Sequence, residues 1–278
     1  MPVQSRQEEA ATTGSGLLTP FWLALGFLSL IPTPRLDNPP AQAISDSRAY
    51  YPVVGLLLGA LLLGVEQGAS RIFPVPLTAA LLLVALALVT RGLHLDGFMD
   101  ICDGLFGGYT PERRLEIMKD SHVGAFAVVG AVSLLILKYA ALVSLLSLPG
   151  TGKLWALLLF PVVSRWSMVL LLGVFPYVRS QGLGSPFHQG GHRVATSVAV
   201  VVAVGASALL GSIGGLAILA GVSLLAWGLG WAMSRMLGGL VGDAYGAANE
   251  VAEVFALGAA VVLVPYGLIA PPFQLVSF

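Results

Sequence analysis

The chain has 278 residues, 56% of them hydrophobic and only 10% charged, with a formal net charge of zero and a mean hydropathy of +0.88. A soluble domain usually carries about 25% charged residues, so this composition excludes an ordinary water-soluble enzyme, and the balanced charge excludes a broad surface for nucleic acid. The single cysteine, Cys102, excludes an internal disulfide and a cysteine zinc cage and reads as a small packing residue.

Residues 1–16 are polar, carry Glu8 and Glu9, and lack the basic start of a secretory signal; they read as a loose N-terminal tail without a cleavable targeting segment. Residues 17–278 read as one integral membrane catalytic domain. Apolar runs fall at roughly 17–31, 52–65, 75–90, 123–148, 154–175, 194–210, 215–233 and 252–270. A perpendicular helical crossing takes about 20 residues. The first two runs are short, and one contains Pro20 while the other starts at Pro52, so either is a candidate half-helix or re-entrant piece. No alternating barrel pattern occurs, and backbone in lipid must satisfy its own hydrogen bonds, so the crossings are helices. The fold class expected is all-α: a polytopic transmembrane helical bundle of about 7–8 segments. Recurrent small residues (Gly55, Gly59, Gly64, Gly211, Gly214, Gly215, Gly221) suit close helix approach.

If all eight runs cross, one side collects Arg35, Arg48, Arg91, Arg113, Arg114, Lys119, Arg179, Arg193 and Arg235, against Arg6, Arg71 and Lys153 on the other. The positive-inside rule makes the first side cytoplasmic, and most of the acids gather there too. Parity then puts both termini outside, whereas a re-entrant first segment returns the N-terminus to the cytoplasm.

Chemistry concentrates in His94-Leu95-Asp96-Gly97-Phe98-Met99-Asp100-Ile101-Cys102-Asp103-Gly104. On a helix Asp96, Asp100 and Asp103 stand at i, i+4 and i+7, on one face. Neighbouring carboxylates repel unless a cation neutralises them, and hard oxygen ligands favour Mg²⁺, with Mn²⁺ as a substitute, over zinc. A solvated acidic turn and a cation-coupled transport site are the competing readings. Downstream, Thr110-Pro111 opens a helix on which Glu112, Glu116 and Asp120 share a stripe beside Arg113, Arg114 and Lys119. That pattern suits a salt-bridged surface helix; beside a metal site, Asp120 becomes a candidate ligand or base and the cations candidate phosphate holders. Asp243, Asn249 and Glu250 sit in a third polar element and are candidate substrate or metal contacts, with a plain interfacial loop as the competing reading. Lys138 and Arg165 fall inside apolar runs, where snorkelling, an internal ion pair and an anion-binding role for Arg165 are the alternatives. His94, His188 and His192 have no metal-cage spacing; His188 and His192 lie in a Gly-rich loop and read as lid or substrate contacts.

Taken together, Phe27–Pro32, Tyr51–Gly55, Gly92–Gly104, Ile117–Gly124, Pro176–Arg179, Gly182–Gly184 and Gly242–Glu253 resemble, in order, the cobalamin synthase family, the adenosylcobinamide-GDP ribazoletransferases. Arg91 stands where the family leads one to expect a glycine. The resemblance implies a Mg²⁺-dependent inner-membrane enzyme acting on adenosylcobinamide-GDP and α-ribazole or its 5′-phosphate, releasing GMP, with its active site on the cytoplasmic face. It places metal ligation on Asp96, Asp100 and Asp103 and catalysis on these and Asp120. Substrate binding would fall to His94, Arg113, Arg114, Lys119, Arg165, Arg179, Asp243, Asn249 and Glu250. Membrane lipid is a partner, nucleic acid is not, and a homo-oligomer or a complex with other cobamide-assembly enzymes is compatible. Asp100–Gly104 also resembles the first half of the CDP-alcohol phosphotransferase signature, but Phe106-Gly107 replaces the Ala-Arg that should follow. A lipid-directed CDP-alcohol phosphotransferase and an ion-coupled transporter are the rival functions.

Overall fold

A computed structural model describes residues 18–178 and 193–272. The N-terminal tail, Arg179, Gly182–Gly184, His188 and His192 therefore lie outside the described residues.

The helices are α1 (Thr19–Leu28), α2 (Ala41–Asp46), α3 (Tyr51–Ala69), α4 (Val75–Val89), α5 (Leu93–Gly107), α6 (Pro111–Ile117), α7 (Ala125–Leu146), α8 (Gly152–Val174), α9 (Arg193–Leu237) and α10 (Gly242–Leu263). Proline in the first turn opens α1, α3, α4 and α6, where a missing N–H costs nothing and φ is already helical. The described residues contain no strand, only an isolated bridge pairing Tyr177 with Leu240.

Five helical stretches are long and apolar enough to cross a membrane, and α4 with α5 forms a sixth only as a pair bent by 88°. Within α9, Ser212 has φ 46° and ψ −133°, and a Cβ on Gly215 would meet the Ser207 carbonyl oxygen at 2.2 Å. In a straight helix those residues would stand about 12 Å apart. The chain thus doubles back at Ser212, and α9 is two limbs packed side by side. The run expected at 194–210 and its successor at 215–233 are these two limbs.

The first two runs resolve differently. The second is no half-helix: Ala41–Ala69 forms a 29-residue span. The first is only the ten residues of α1, and it packs wholly against one end of the bundle. Phe21 meets Tyr50 and Phe27 stacks on Tyr51, with ring centroids 5.7 and 6.5 Å apart. Just beyond it, the Leu30 N–H donates to the Val89 carbonyl. Phe21 near the start of α1 and Phe27 near its end thus meet adjacent residues at the opening of α3, and α1 lies across that end.

The core forms around α8, the most buried of the candidate spans. Gly55 and Gly59 let α3 lie against it: a Cβ would meet the Pro161 carbonyl oxygen at 2.3 Å and the Leu158 carbonyl oxygen at 2.6 Å. Backbones this close are the usual outcome of small residues four apart on facing helices. By contrast α7 exposes Val128, Val129, Val132, Ile136 and Leu137, an apolar stripe suited to lipid.

α5 is turned across the end of α4 by two consecutive left-handed residues, Arg91 (φ 58°) and Gly92 (φ 66°). Glycine accepts this conformation without penalty, whereas a side chain costs about 1–2 kcal/mol. That is why Arg91 looks out of place in the sequence. Its guanidinium Nη2 donates to the Gly26 carbonyl at 2.7 Å, which ties the bend to α1. α5 then seats against the start of α10, where a Cβ on Gly97 would meet the Asp243 backbone oxygen at 2.9 Å and one on Gly246 the His94 oxygen at 3.0 Å. The aspartate helix is thereby laid over the polar mouth of the bundle.

Candidate active site

The 3.6-residue period places Asp96, Asp100 and Asp103 on one face of α5, and that face opens on a cavity of about 310 Å³. Asp120, Lys119 and His122 line the same cavity. Four carboxylates thus face one ammonium and one imidazole in a shared space, an imbalance that calls for an added cation. Asp103 is fixed from outside its own helix: its carboxylate accepts the N–H groups of Gly124 at 2.7 Å and Ala127 at 2.8 Å. It therefore caps the start of α7, where the helix dipole favours negative charge. Among the described residues no three His, Cys, Asp or Glu side chains converge closely enough to enclose an ion by themselves. Mg²⁺ rarely demands that, since it keeps several waters and takes one or two carboxylates together with phosphate oxygens.

Asp120 pairs with His122, whose Nδ1 lies 2.6 Å from Oδ1 and whose backbone N–H donates to the same oxygen at 3.0 Å. The hydrogen bond from the imidazole holds this carboxyl below the usual carboxylate range. His122 belongs to the Ile117–Gly124 stretch, and no role is expected for it from the sequence. Only the turn after α6 brings its ring to Asp120.

Asp96 also borders a second cavity of about 260 Å³, walled by Phe27, Tyr51, Tyr177 and Tyr245 and reaching Asp243 in the first turn of α10. Met168 and Leu172 of α8 close it from inside the bundle. These aromatic and aliphatic walls come from five separate chain segments, so no local pattern announced them.

The expected phosphate-holding cations divide. Lys119 reaches the aspartate cavity, and Arg113 lines an adjoining groove while bound to Glu116 at 2.7 Å. Arg114 is a tether: its Nε donates to the Gly108 carbonyl and its Nη1 to the Met236 carbonyl, both at 2.9 Å, which pins α6 to the end of α9.

Arg165, Asn249 and Glu250 line neither of these cavities and are brought together inside the bundle. Lys138 Nζ lies 2.6 Å from Glu250 Oε2 and 2.6 Å from Glu253 Oε2. Arg165 Nη1 pairs with Glu253 Oε1, which also accepts from Asn249 Nδ2 at 3.2 Å. Lys138, Arg165, Asn249, Glu250 and Glu253 are all buried. The internal-pair alternative is the arrangement found: two cations and two anions cancel inside the bundle, because an unpaired charge there is costly. Glu253, the last residue of the Gly242–Glu253 stretch, is the hub, holding Lys138, Arg165 and Asn249. His94 lines the cavity of about 260 Å³ and is buried beside this network, with Arg165, Glu253 and Lys138 as its charged neighbours, and neither ring nitrogen has a protein hydrogen-bond partner.

A family model described as cobalamin-5-phosphate synthase matches residues 20–261. The chain is 40% identical over 263 residues to an adenosylcobinamide-GDP ribazoletransferase of Desulfitobacterium hafniense, covering 88% of this chain and 97% of the relative. Proteins of the same name from Roseiflexus sp. and Pseudomonas fluorescens are 37% and 41% identical over 257 and 242 residues, covering 92% and 86% of this chain and 94% and 98% of those relatives. No solved structure matches the chain.

Proposed function

The chain belongs to the cobalamin-5-phosphate synthase family, and on that premise we propose that it transfers adenosylcobinamide phosphate from adenosylcobinamide-GDP to α-ribazole or α-ribazole 5′-phosphate. A ribose hydroxyl oxygen of the acceptor attacks the cobinamide-linked phosphorus. A new phosphorus–oxygen bond forms, the bridging phosphorus–oxygen bond of the diphosphate breaks, and GMP leaves with the electron pair. The observation that carries this reading is the shared cavity of Asp96, Asp100, Asp103, Asp120 and Lys119. Such a cluster suits a metal-bound diphosphate and has little use for a neutral substrate.

Mg²⁺, with Mn²⁺ as a substitute, would neutralise the diphosphate and the charge developing on the leaving phosphate, a contribution typically worth several kcal/mol. Asp96 and Asp100 would hold it from the α5 face, with Asp103 alongside in the position its two amide donors fix. Lys119 supplies a point charge for a phosphate oxygen. Asp120 takes the proton of the attacking hydroxyl, and the contact with His122 lets the imidazole share it. The arginine-rich mouth of the bundle faces the cytoplasm of a bacterial inner membrane by the positive-inside rule. There the water-soluble nucleotide leaves directly into solution.

The test is GMP release by purified protein given adenosylcobinamide-GDP, α-ribazole 5′-phosphate and Mg²⁺. Asp96→Asn and Asp100→Asn should each lower turnover by at least a hundredfold while the protein stays folded in the membrane. Near-normal rates from both variants would remove the metal role from these side chains. Turnover of CDP-diacylglycerol in place of the corrinoid donor would favour the lipid-directed rival.

A further inference from the structure

We infer that the aromatic cavity beside Asp96 receives the heterocyclic base of the acceptor riboside. The inference rests on the proposed reaction for the identity of the acceptor, but the cavity's chemistry is independent of it. Phe27, Tyr51, Tyr177 and Tyr245 supply flat apolar walls, and Met168 and Leu172 close the inner end. Its polar lining is Asp96, Asp243, His94 and the hydroxyls of the three tyrosines, with no cationic or amide side chain among them.

Two aromatic bases take part in the reaction, and the lining discriminates between them. Guanine carries two acceptors, O6 and N7, besides its N–H donors. The Asp96 and Asp243 carboxylates can meet the donors, but no cationic or amide side chain lines the cavity to meet the acceptors, and unmatched polar atoms lose affinity on burial. A dimethylbenzimidazole presents methyl groups and a single free ring nitrogen, so it suits walls that offer mainly apolar contact. The volume of about 260 Å³ accommodates one bicyclic ring and excludes a corrin macrocycle. Asp96 borders both this cavity and the aspartate cavity. A base seated here therefore holds its ribose next to the diphosphate, which lowers the entropic cost of bringing hydroxyl and phosphorus together. The floor is preformed, because the tight Gly97–Asp243 and Gly246–His94 approaches lock α5 to α10.

Gly242 offers a clean probe. It borders the cavity, and a Cβ built on it meets nothing within 4 Å. Gly242→Leu should occupy space needed by the base without displacing protein. The expected result is a rise of more than tenfold in the acceptor KM and in the Kd for α-ribazole, followed through the fluorescence of its base. Gly242→Ala should give an intermediate rise, and the donor KM should stay within about twofold. In the wild-type protein, free 5,6-dimethylbenzimidazole should compete with the acceptor and not with the donor, and Gly242→Leu should weaken that competition. An unchanged acceptor Kd in Gly242→Leu overturns the inference, as does a rise confined to the donor KM, which would put guanine in the cavity. If wild-type protein binds α-ribazole but releases no GMP, the reaction assignment fails while the binding comparison still decides the cavity.

Discussion

Glu253→Gln removes one charge from the buried network that joins α7, α8 and α10. Glu253 is fully buried and accepts from Lys138 at 2.6 Å, from Asn249 at 3.2 Å and from Arg165. The substitution keeps size but replaces one acceptor oxygen by an NH₂ donor among donors, and it leaves Lys138 and Arg165 facing Glu250 alone, one net positive charge inside the bundle. Removing one partner of a buried pair costs about 3–5 kcal/mol. A unit charge pair about 4 Å apart at an effective dielectric near 20 gives a value of about 4 kcal/mol, in the same range. The melting temperature of the detergent-purified protein should fall by on the order of 10 °C. Combining Glu253→Gln with Lys138→Met restores neutrality, so the double variant should melt above Glu253→Gln alone. Thermal unfolding followed by loss of the monodisperse peak reads both numbers. If Glu253→Gln costs less than about 1 kcal/mol, or the double variant is no better than additive, the groups do not form a desolvated charge network.

Other outcomes follow from single contacts. Asp103→Ala leaves the Gly124 and Ala127 N–H groups unmatched at the start of α7 and should cost about 1–3 kcal/mol; Asp103→Asn retains an acceptor and should recover part of that stability while remaining inactive in GMP release. Gly55→Leu drives a side chain into the Pro161 carbonyl of α8, so the yield of folded protein in membranes should collapse, whereas Gly64→Leu, which meets nothing within 4 Å, should express normally. Because His122 depresses the Asp120 carboxyl, the stabilising contact is present above the unfolded-state value and lost as pH falls through the lower folded one. Carboxyl NMR should therefore show Asp120 titrating at higher pH in His122→Ala than in the wild-type chain, and identical titrations would refute the pairing.

The sequence by itself determined the solvent this protein lives in and the face on which its carboxylates gather. Hydropathy counts and the i, i+4, i+7 spacing of Asp96, Asp100 and Asp103 follow from helix period and transfer energy, which are local properties. The same locality explains the failures. A ten-residue α1 laid across one end of the bundle, the reversal at Ser212, and the 88° turn at Arg91 and Gly92 depend on packing between segments far apart in the chain. Tertiary structure alone decided that Arg165, Asn249 and Glu250 belong to an internal charge network rather than to the wall of either of those cavities. It also decided that Arg114 is a tether, and that Phe27, Tyr51, Tyr177 and Tyr245 share one chamber beside Asp96. The physical reason is that a buried charge or an aromatic wall is fixed by its partners across space, and sequence spacing records only those within one or two turns of the same helix.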